Sequence, residues 1–487
     1  MTDREALACA PIAMAVLMAG LLWCVPRRWA ARTAIVGAVA TSGLAVAVAT
    51  GALVDARHPH AGNWIAIDAA SGLLVGVIGV VGLISVLASP AYLQTVTTAL
   101  VGERRRATTY FAVLYAFWAA MLAVPLAGNL GTAWLLIEAT TATSALLVGF
   151  SGKAGALEAG WKYLILTSVG LGIALLGIAL LAAGVPGHGL GALSWRSLGT
   201  YASGSSSALV VYLLLLAGLA AKIGWAPVHN WLPDAHSQAP APVSAMLSAA
   251  LLPAVLLVAW RCEQGMAPVV GTAAARGVLI AFGLASMAVA VPFLSRPLVW
   301  KRLLAYSSLE HMGVIALGIG FATPLAMAGV AVHIVAHAIA KTLGFAAVTP
   351  LLAHEPRAAG QPVTGIGRTR PLLGASLALS LGTLSGLPPS PLFASELLII
   401  AGGFQAAHAG PAVAATVLLA LAFLGLMRAL LDLTVGEKPA RDTARPTGLR
   451  GVVALAAVSG VLLLALTAAA VWLPTTDLVR ALIKGVS

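Results

Sequence analysis

Three side chains in the stretch HIVAHAIAK stand four residues apart: His333, His337 and Lys341. On a helix this spacing puts them on one face, over about 12 Å at 1.5 Å per residue. Titratable groups so placed, each within side-chain or one-water reach of the next, form a ladder along which protons can pass. Other ionisable groups sit in equally apolar surroundings: Glu138 in NLGTAWLLIEATTATSALLVGF, Lys222 after VVYLLLLAGLA, Glu310 and His311 after KRLLAYSSL, and Glu396 at the end of SGLPPSPLFASE. Near the centre of a bilayer each such group costs on the order of 2.5 to 3.5 kcal/mol on insertion scales, so a chain keeps one where it is paired, hydrated or functional.

Plainer roles compete at some positions. Arg428 and Asp432, at i and i+4, read best as a packing ion pair. Lys162 has Glu158 at the same spacing near a helix start, where an interfacial anchor and a functional role are both open. The His333, His337 and Lys341 ladder reads as ion conduction, because a packed core histidine needs one polar partner and three polar residues on one apolar helix exceed that. A metal ion at the ladder would want carboxylate or cysteine company at ligand distance. Cys9, Cys24 and Cys262 have no CxxC spacing and no nearby histidine cluster, so neither a zinc site nor an iron–sulfur ligand set is expected. No metal and no cofactor are expected in this chain.

The surroundings of these groups are set by composition. The 487 residues are 60% hydrophobic and 9% charged, with a mean hydropathy of +0.97. A water-soluble domain carries about 25% charged residues, so this is a polytopic membrane protein, all-α by its long apolar runs. Apolar stretches of about 20 residues recur at fourteen places, centred roughly on residues 15, 43, 80, 117, 140, 172, 217, 251, 281, 310, 337, 386, 421 and 462. The first follows MTDREALACA, which lacks the basic start and cleavage site of a signal peptide, so it is expected to be a retained helix.

The net charge of +12 does not mark a nucleic-acid binder, because the basic residues fall in short loops. With fourteen spans and an outside N-terminus, seventeen Lys and Arg lie inside, among them Arg104, Arg105, Arg106, Arg357, Lys438, Arg441 and Arg445. Seven lie outside: Arg4, Arg57, Arg196, Arg261, Arg276, Arg480 and Lys484. The positive-inside rule then puts both termini on the periplasmic or exterior face of a bacterial cytoplasmic membrane.

Prolines interrupt two of the spans. Pro227, Pro233, Pro240 and Pro242 follow Lys222, and Pro388, Pro389 and Pro391 precede Glu396. Proline removes a helical hydrogen bond, and unwound backbone at membrane depth is tolerated where it is buried in protein or lines a wet cavity. Two breaks five spans apart fit an inverted repeat, spans 4 to 8 against spans 9 to 13, with an ion path at the breaks. The organisation expected is residues 1–100 for the first three spans, 107–262 and 268–434 for the two repeats, and 450–487 for the last span and tail.

Four segments, KIGWAPVHNWLPDAHSQAPAPVSA, KRLLAYSSLEHMG, HIVAHAIAKTLGF and GLPPSPLFASE, resemble the antiporter-like subunits shared by respiratory complex I, Mrp antiporters and membrane-bound NiFe-hydrogenases. The Leu309-Glu310-His311-Met312 variant and the ladder are most similar to the hydrogenase-4 (formate hydrogenlyase-type) component F branch. The likeness covers spans 4 to 13.

It implies a fourteen-helix core with two inverted five-helix repeats and broken seventh and twelfth helices. By the same resemblance Glu138 is the fifth-helix glutamate, Lys222 the seventh-helix lysine that pairs with it, and Lys162 a sixth-helix lysine. His337 and Lys341 fall on the eleventh-helix conducting positions, and Glu396 on the twelfth-helix acidic position. One departure stands out: complex I members often carry a lysine or histidine eight residues before the arginine that ends the eighth helix, where this chain has Pro253. The link from Lys222 to His333 is then expected through water or through Glu310 and His311, if it exists. About a dozen residues follow VWLPTTD, so no long lateral helix is expected.

The function this implies is proton translocation within a redox-driven membrane complex, with electron transfer on partner subunits. Two alternatives stay open: a Mrp-like cation/proton antiporter or inorganic-carbon uptake subunit working without redox input, and a non-conducting structural subunit. A redox enzyme acting alone is disfavoured, because no nucleotide fingerprint or haem motif is present. The partners implied are other membrane subunits and through them a soluble redox arm, with the lipid bilayer and protons, and no nucleic acid.

Overall fold

The computed structural model describes residues 3–96, 106–186, 189–201, 206–437 and 448–484. The basic residues Arg104, Arg105, Lys438, Arg441 and Arg445 lie outside the described residues. The described residues form a bundle of helices with one two-stranded hairpin, β1 (His60–Ala61) and β2 (Ala66–Ile67). The first helices are α1 (Asp3–Cys24), α2 (Arg27–Val54) and α3 (Ala69–Val96). Then follow α4 (Arg106–Ala123), α5 (Leu130–Val148), α6 (Ala154–Gly184), α7 (Ser206–Ile223), α8 (Leu232–Gln238), α9 (Ala241–Met246) and α10 (Leu252–Val270). After these come α11 (Thr272–Leu294), α12 (Trp300–Phe321), α13 (Pro324–Ala346), α14 (Val348–His354), α15 (Ile366–Thr369), α16 (Pro371–Leu384), α17 (Pro391–Gln405) and α18 (Ala409–Val435). The last two are α19 (Leu449–Trp472) and α20 (Asp477–Lys484).

Among the described residues, twelve helices are long and apolar enough to cross a membrane. The two remaining centres expected from the sequence, near residues 217 and 386, fall on shorter apolar helices: α7 on one side, α16 and α17 on the other. Capping chemistry sets several starts. Asn129 accepts a hydrogen bond from Thr132 N at 2.7 Å to open α5, and Ser390 accepts from Phe393 N with Pro391 at the first position of α17.

Enclosure is graded across the bundle. The most apolar stretch within Ala241–Val270 is 100% buried, that of α12 94% and that of the α13–α14 span 83%, against 17% for the span of α19. The helices that carry Glu310, His311, His333, His337 and Lys341 are therefore among the best shielded in the molecule. Pro253 does not break its span. A π-helical turn, Leu247–Leu251, precedes it and the helix runs on to Val270, a local re-registration that accommodates the missing N–H.

The two breaks are built alike. Gly224 and Gly386 both take left-handed φ, 80° and 68°, a conformation that glycine adopts without steric cost. Three residues after each glycine comes the second residue of a cis X-Pro bond, Ala226-Pro227 and Pro388-Pro389. The carbonyl of Pro389 accepts a hydrogen bond from Thr467 Oγ1 of α19 at 3.0 Å.

At the N-terminal end of α3, Asp68 and Ser71 exchange hydrogen bonds, each side chain accepting from the other's backbone N–H at 2.7 Å. The same Asp68 carboxylate accepts from Arg261 at 3.1 Å, with both side chains almost fully buried. Arg261 also donates to the Pro125 carbonyl at 3.0 Å and lies 5.4 Å from the Trp195 ring. Assigned to an outside loop by charge counting, Arg261 is thus an internal tie between α10 and α3. Arg428 pairs with Asp432 at 3.7 Å and donates to the Ser295 carbonyl, the packing role expected of it.

Asp68→Asn strips Arg261 of its buried counter-charge and is expected to cost about 3 to 5 kcal/mol. A fall in the unfolding midpoint of the detergent-solubilised chain reads this out, and a cost under about 1 kcal/mol would refute the role given to the pair.

Candidate functional site

Lys222 lies in the last turn of α7 and is fully buried. Its ammonium donates to Thr141 Oγ1 at 2.6 Å and to Tyr163 OH at 2.5 Å, and stands 4.6 Å from the Tyr163 ring centroid. Tyr163 OH in turn lies 2.7 Å from Ser144 Oγ. Glu138, one turn before Thr141 on α5, is half-buried, with Oε2 enclosed and unpartnered. The direct Lys222 to Glu138 pair that the resemblance implies is not formed: the hydroxyls of Thr141 and Tyr163 take up the ammonium.

From this cluster a line of rings leads across the chain. Tyr163 and Trp231 pack with ring centroids 4.7 Å apart, Trp231 and His236 at 6.3 Å, and His236 and Phe345 at 6.0 Å. His236 is fully buried and neither ring nitrogen has a hydrogen-bond partner. It stands on α8, the short helix after the first break, whose C-terminal carbonyls Ser237 O and Ala239 O accept from Lys301 of α12. Pro227 is exposed in the break, Pro233 sits at the start of α8 and Pro240 caps α9.

The second cluster surrounds α13. Lys341 is fully buried and donates to the Leu304 carbonyl and to Ser307 Oγ, both on α12. His333 and His337 are also fully buried, as the ladder requires. The contact between rungs, however, passes through α12. His311 Nδ1 lies 3.1 Å from His333 Nε2, and the His311 ring centroid is 5.1 Å from that of His333 and 5.2 Å from that of His337. His333 Nδ1 meets Ser395 Oγ at 2.9 Å, while neither nitrogen of His337 has a partner. On the other side of His311, its Nε2 is 3.6 Å from Glu310 Oε2. Glu310, His311 and Glu396 bring three potential ligand atoms within 4.8 Å of one another. Pro388 and Pro389 are exposed beside this cluster.

One candidate is left outside. Lys162 is half-exposed and pairs with Glu158 at 2.6 Å and with Asp234 at 3.7 Å. Asp234 also binds Arg302, so this is a peripheral charge network. Lys162, a translocation candidate by resemblance, is thus placed among exposed charges and away from the buried clusters. Three groups that spacing arguments passed over, Tyr163, Thr141 and His236, join the buried set. The signal for His236 was its place two residues after Asp234, in the proline-broken segment.

The chain matches the family model described as NADH:quinone oxidoreductase/Mrp antiporter, TM, over residues 127–435. It is 34% identical over 316 residues to a protein of Methylacidiphilum infernorum named hydrogenase-4 component F homolog, a match that spans 63% of this chain and 66% of that one. An uncharacterized protein of Mycobacterium tuberculosis is 32% identical over 79% of this chain and 61% of its own length. The chain thus spans somewhat less than two thirds of these two relatives. With the NADH-quinone oxidoreductase subunit N of Geobacter metallireducens the identity is 31%, over 79% of each chain. Among solved structures, a chain of the membrane-bound sulfane sulfur reductase, an archaeal respiratory membrane complex, superposes with a TM-score of 0.82 over 99% of this chain and 97% of that one, at 21% identity. A chain of respiratory complex I from Thermus thermophilus gives 0.73 over 95% and 98%, at 24% identity. These likenesses show a shared helical fold.

Tyr163→Phe removes one of the two oxygens on the Lys222 ammonium and is expected to destabilise by about 1 to 3 kcal/mol, the cost of an unsatisfied buried donor. Ser144→Ala leaves both Lys222 bonds in place and should cost less. Chemical unfolding of the two variants in detergent checks the order, and equal losses would mean that Tyr163 does not hold the ammonium.

Proposed function

This chain belongs to the NADH:quinone oxidoreductase/Mrp antiporter transmembrane family, and from that premise we propose that it moves protons across the membrane as one subunit of a redox-driven complex. It is an antiporter-like integral membrane subunit with buried charged residues. The observation that carries the proposal is the pair of shielded titratable clusters, one at each helix break, joined by the line of rings through His236. Residues 107–262 and 268–434 are read as the two inverted repeats, on the strength of breaks built alike.

In the proposed cycle a proton from the inside loads Lys222, whose charge is stabilised or not by the position of Glu138. Two unit charges about 4 Å apart at an effective dielectric of about 20 interact by about 4 kcal/mol. Moving one charge against 100 mV takes about 2.3 kcal/mol. A displacement of the α5 carboxylate relative to the α7 ammonium is therefore large enough to drive one charge. The proton then passes by way of His236 to Lys341 and His337, across His311 and Glu310 to His333, and leaves near Glu396. Ordered water fills the intervals that side chains do not span. The redox energy enters through partner subunits of a group 4 NiFe-hydrogenase or complex I type, in a bacterial cytoplasmic membrane.

Lys222→Met should abolish pumping by the assembled complex in inverted vesicles, while electron transfer on partner subunits continues in part. Pumping at the wild-type level in that variant overturns the cycle. Joint replacement of Glu138 by Gln and Lys341 by Met should do the same, and unchanged stoichiometry there would identify a structural subunit instead.

Capture of the tagged chain from native membranes in mild detergent, followed by mass spectrometry, tests the redox coupling. A NiFe large subunit, iron–sulfur proteins or quinone-module proteins are expected among the co-purifying chains. Recovery of other antiporter-like chains alone would replace redox coupling with gradient-driven transport.

A further inference from the structure

Glu310 and His311 of α12 and Glu396 of α17 converge from separate helices, and their ligand atoms lie within 4.8 Å of one another. Two of the three groups are fully enclosed and carry a bare atom: Glu310 Oε2 and His311 Nε2 are buried without a hydrogen-bond partner and stand 3.6 Å apart. Zinc held at its usual bond lengths of about 2.0 to 2.2 Å in a tetrahedral set has ligand atoms about 3.4 Å apart. That is close to the separation already present, and a small side-chain adjustment of Glu396 completes the triangle. Glu396 is placed against the backbone of Gly386, where any Cβ would come within 2.6 Å of its carboxylate.

The surroundings orient the histidine for this role. Ser395 Oγ donates to the Leu392 carbonyl at 2.7 Å, which leaves it to accept from His333 Nδ1–H at 2.9 Å. His333 Nε2 then accepts from His311 Nδ1–H at 3.1 Å. In that direction, the chain of hydrogen bonds leaves Nε2 as the acceptor nitrogen of His311, 3.6 Å from Glu310 Oε2. A ligating histidine whose other nitrogen donates to a fixed acceptor is the usual outer-shell arrangement of protein zinc sites.

We propose that Glu310, His311 and Glu396 form a binding site for a zinc-type divalent cation. Two carboxylates neutralise a dication, which removes the penalty of an unbalanced charge in the interior. The imidazole nitrogen selects zinc and its transition-metal neighbours over calcium, magnesium or sodium, which take oxygen ligands. A bound cation occupies three acid–base groups at once and so acts as a block on any charge movement through this cluster. Cation binding at this triad is independent of redox coupling.

The test is equilibrium dialysis of the chelator-stripped full-length chain in detergent against Zn²⁺, with metal counted by mass spectrometry. A background carrying His58→Ala and His60→Ala removes the His58–Asp55 pair and the part-buried His60–Glu5 pair, which offer zinc a competing site. One zinc per chain is expected to remain in that background. Glu396→Gln should weaken its retention at least 100-fold, and Ser395→Ala, which removes no ligand atom, 10- to 100-fold. Co²⁺ added to the unmutated triad should give the intense visible bands of a tetrahedral site. Zinc lost entirely with His58 and His60, or retained equally in Glu396→Gln, overturns the proposal and leaves the triad a proton site only.

Discussion

An ammonium group taken into hydrocarbon must be met by oxygen, and how this chain meets that demand shapes everything around it. Lys222 rests on two hydroxyls, those of Thr141 and Tyr163. Lys341 rests on a hydroxyl and a carbonyl, those of Ser307 and Leu304. Neither lysine is clamped by a carboxylate, so neither charge is locked by an ion pair whose rupture would leave an uncompensated partner. Neutral oxygens can accept from the ammonium and from the amine alike, so neither protonation state requires rebuilding the site. The contrast within the molecule is Arg261, which cannot lose its proton and is paired directly with Asp68. Ion pairing marks the fixed charge, and hydroxyl solvation the two lysines.

Positioning these oxygens requires helices that are interrupted and helices that are not. The segments that follow the breaks at Gly224 and Gly386 carry His236 to Phe345 of α13 and Glu396 to Glu310 and His311 of α12. The Ala241–Val270 span does the reverse. It accommodates Pro253 with one π turn and remains fully enclosed, presenting Ser248 at 2.7 Å from Ser308 of α12. Pro253 carries no titratable group, and the buried His236, Glu310, His311, His333, His337 and Lys341 lie on α8, α12 and α13.

Much of this was legible in the residues. Hydropathy located the spans, proline and glycine located the breaks, and the four-residue spacing placed His333, His337 and Lys341 on one face. Sequence periodicity describes a single helix, however, and the informative contacts join different ones. His311 was visible as a polar residue, but its insertion between His333 and His337 depends on how α12 packs against α13. Tyr163 carries no spacing signal, and its place is shown by the contact of its hydroxyl with Lys222. Lys162 followed the intramembrane pattern by position, yet its side chain turns to Glu158 and Asp234. The tie between Arg261 and Asp68 joins residues 193 positions apart, a separation no local pattern reports.

The span of α19 is the least enclosed of those described, and by packing alone it looks dispensable. Its Thr467 hydroxyl nevertheless reaches the carbonyl of Pro389, inside the second break, sharing its proton between that oxygen and the Leu463 carbonyl of its own helix. A peptide oxygen exposed by a double proline would ordinarily be hydrated. At membrane depth there is no bulk water, and a threonine borrowed from a neighbouring helix stands in for it. The outermost helix is in that sense a piece of solvent carried by the protein, and the broken helix is stable in lipid because its missing water is covalently part of the same chain.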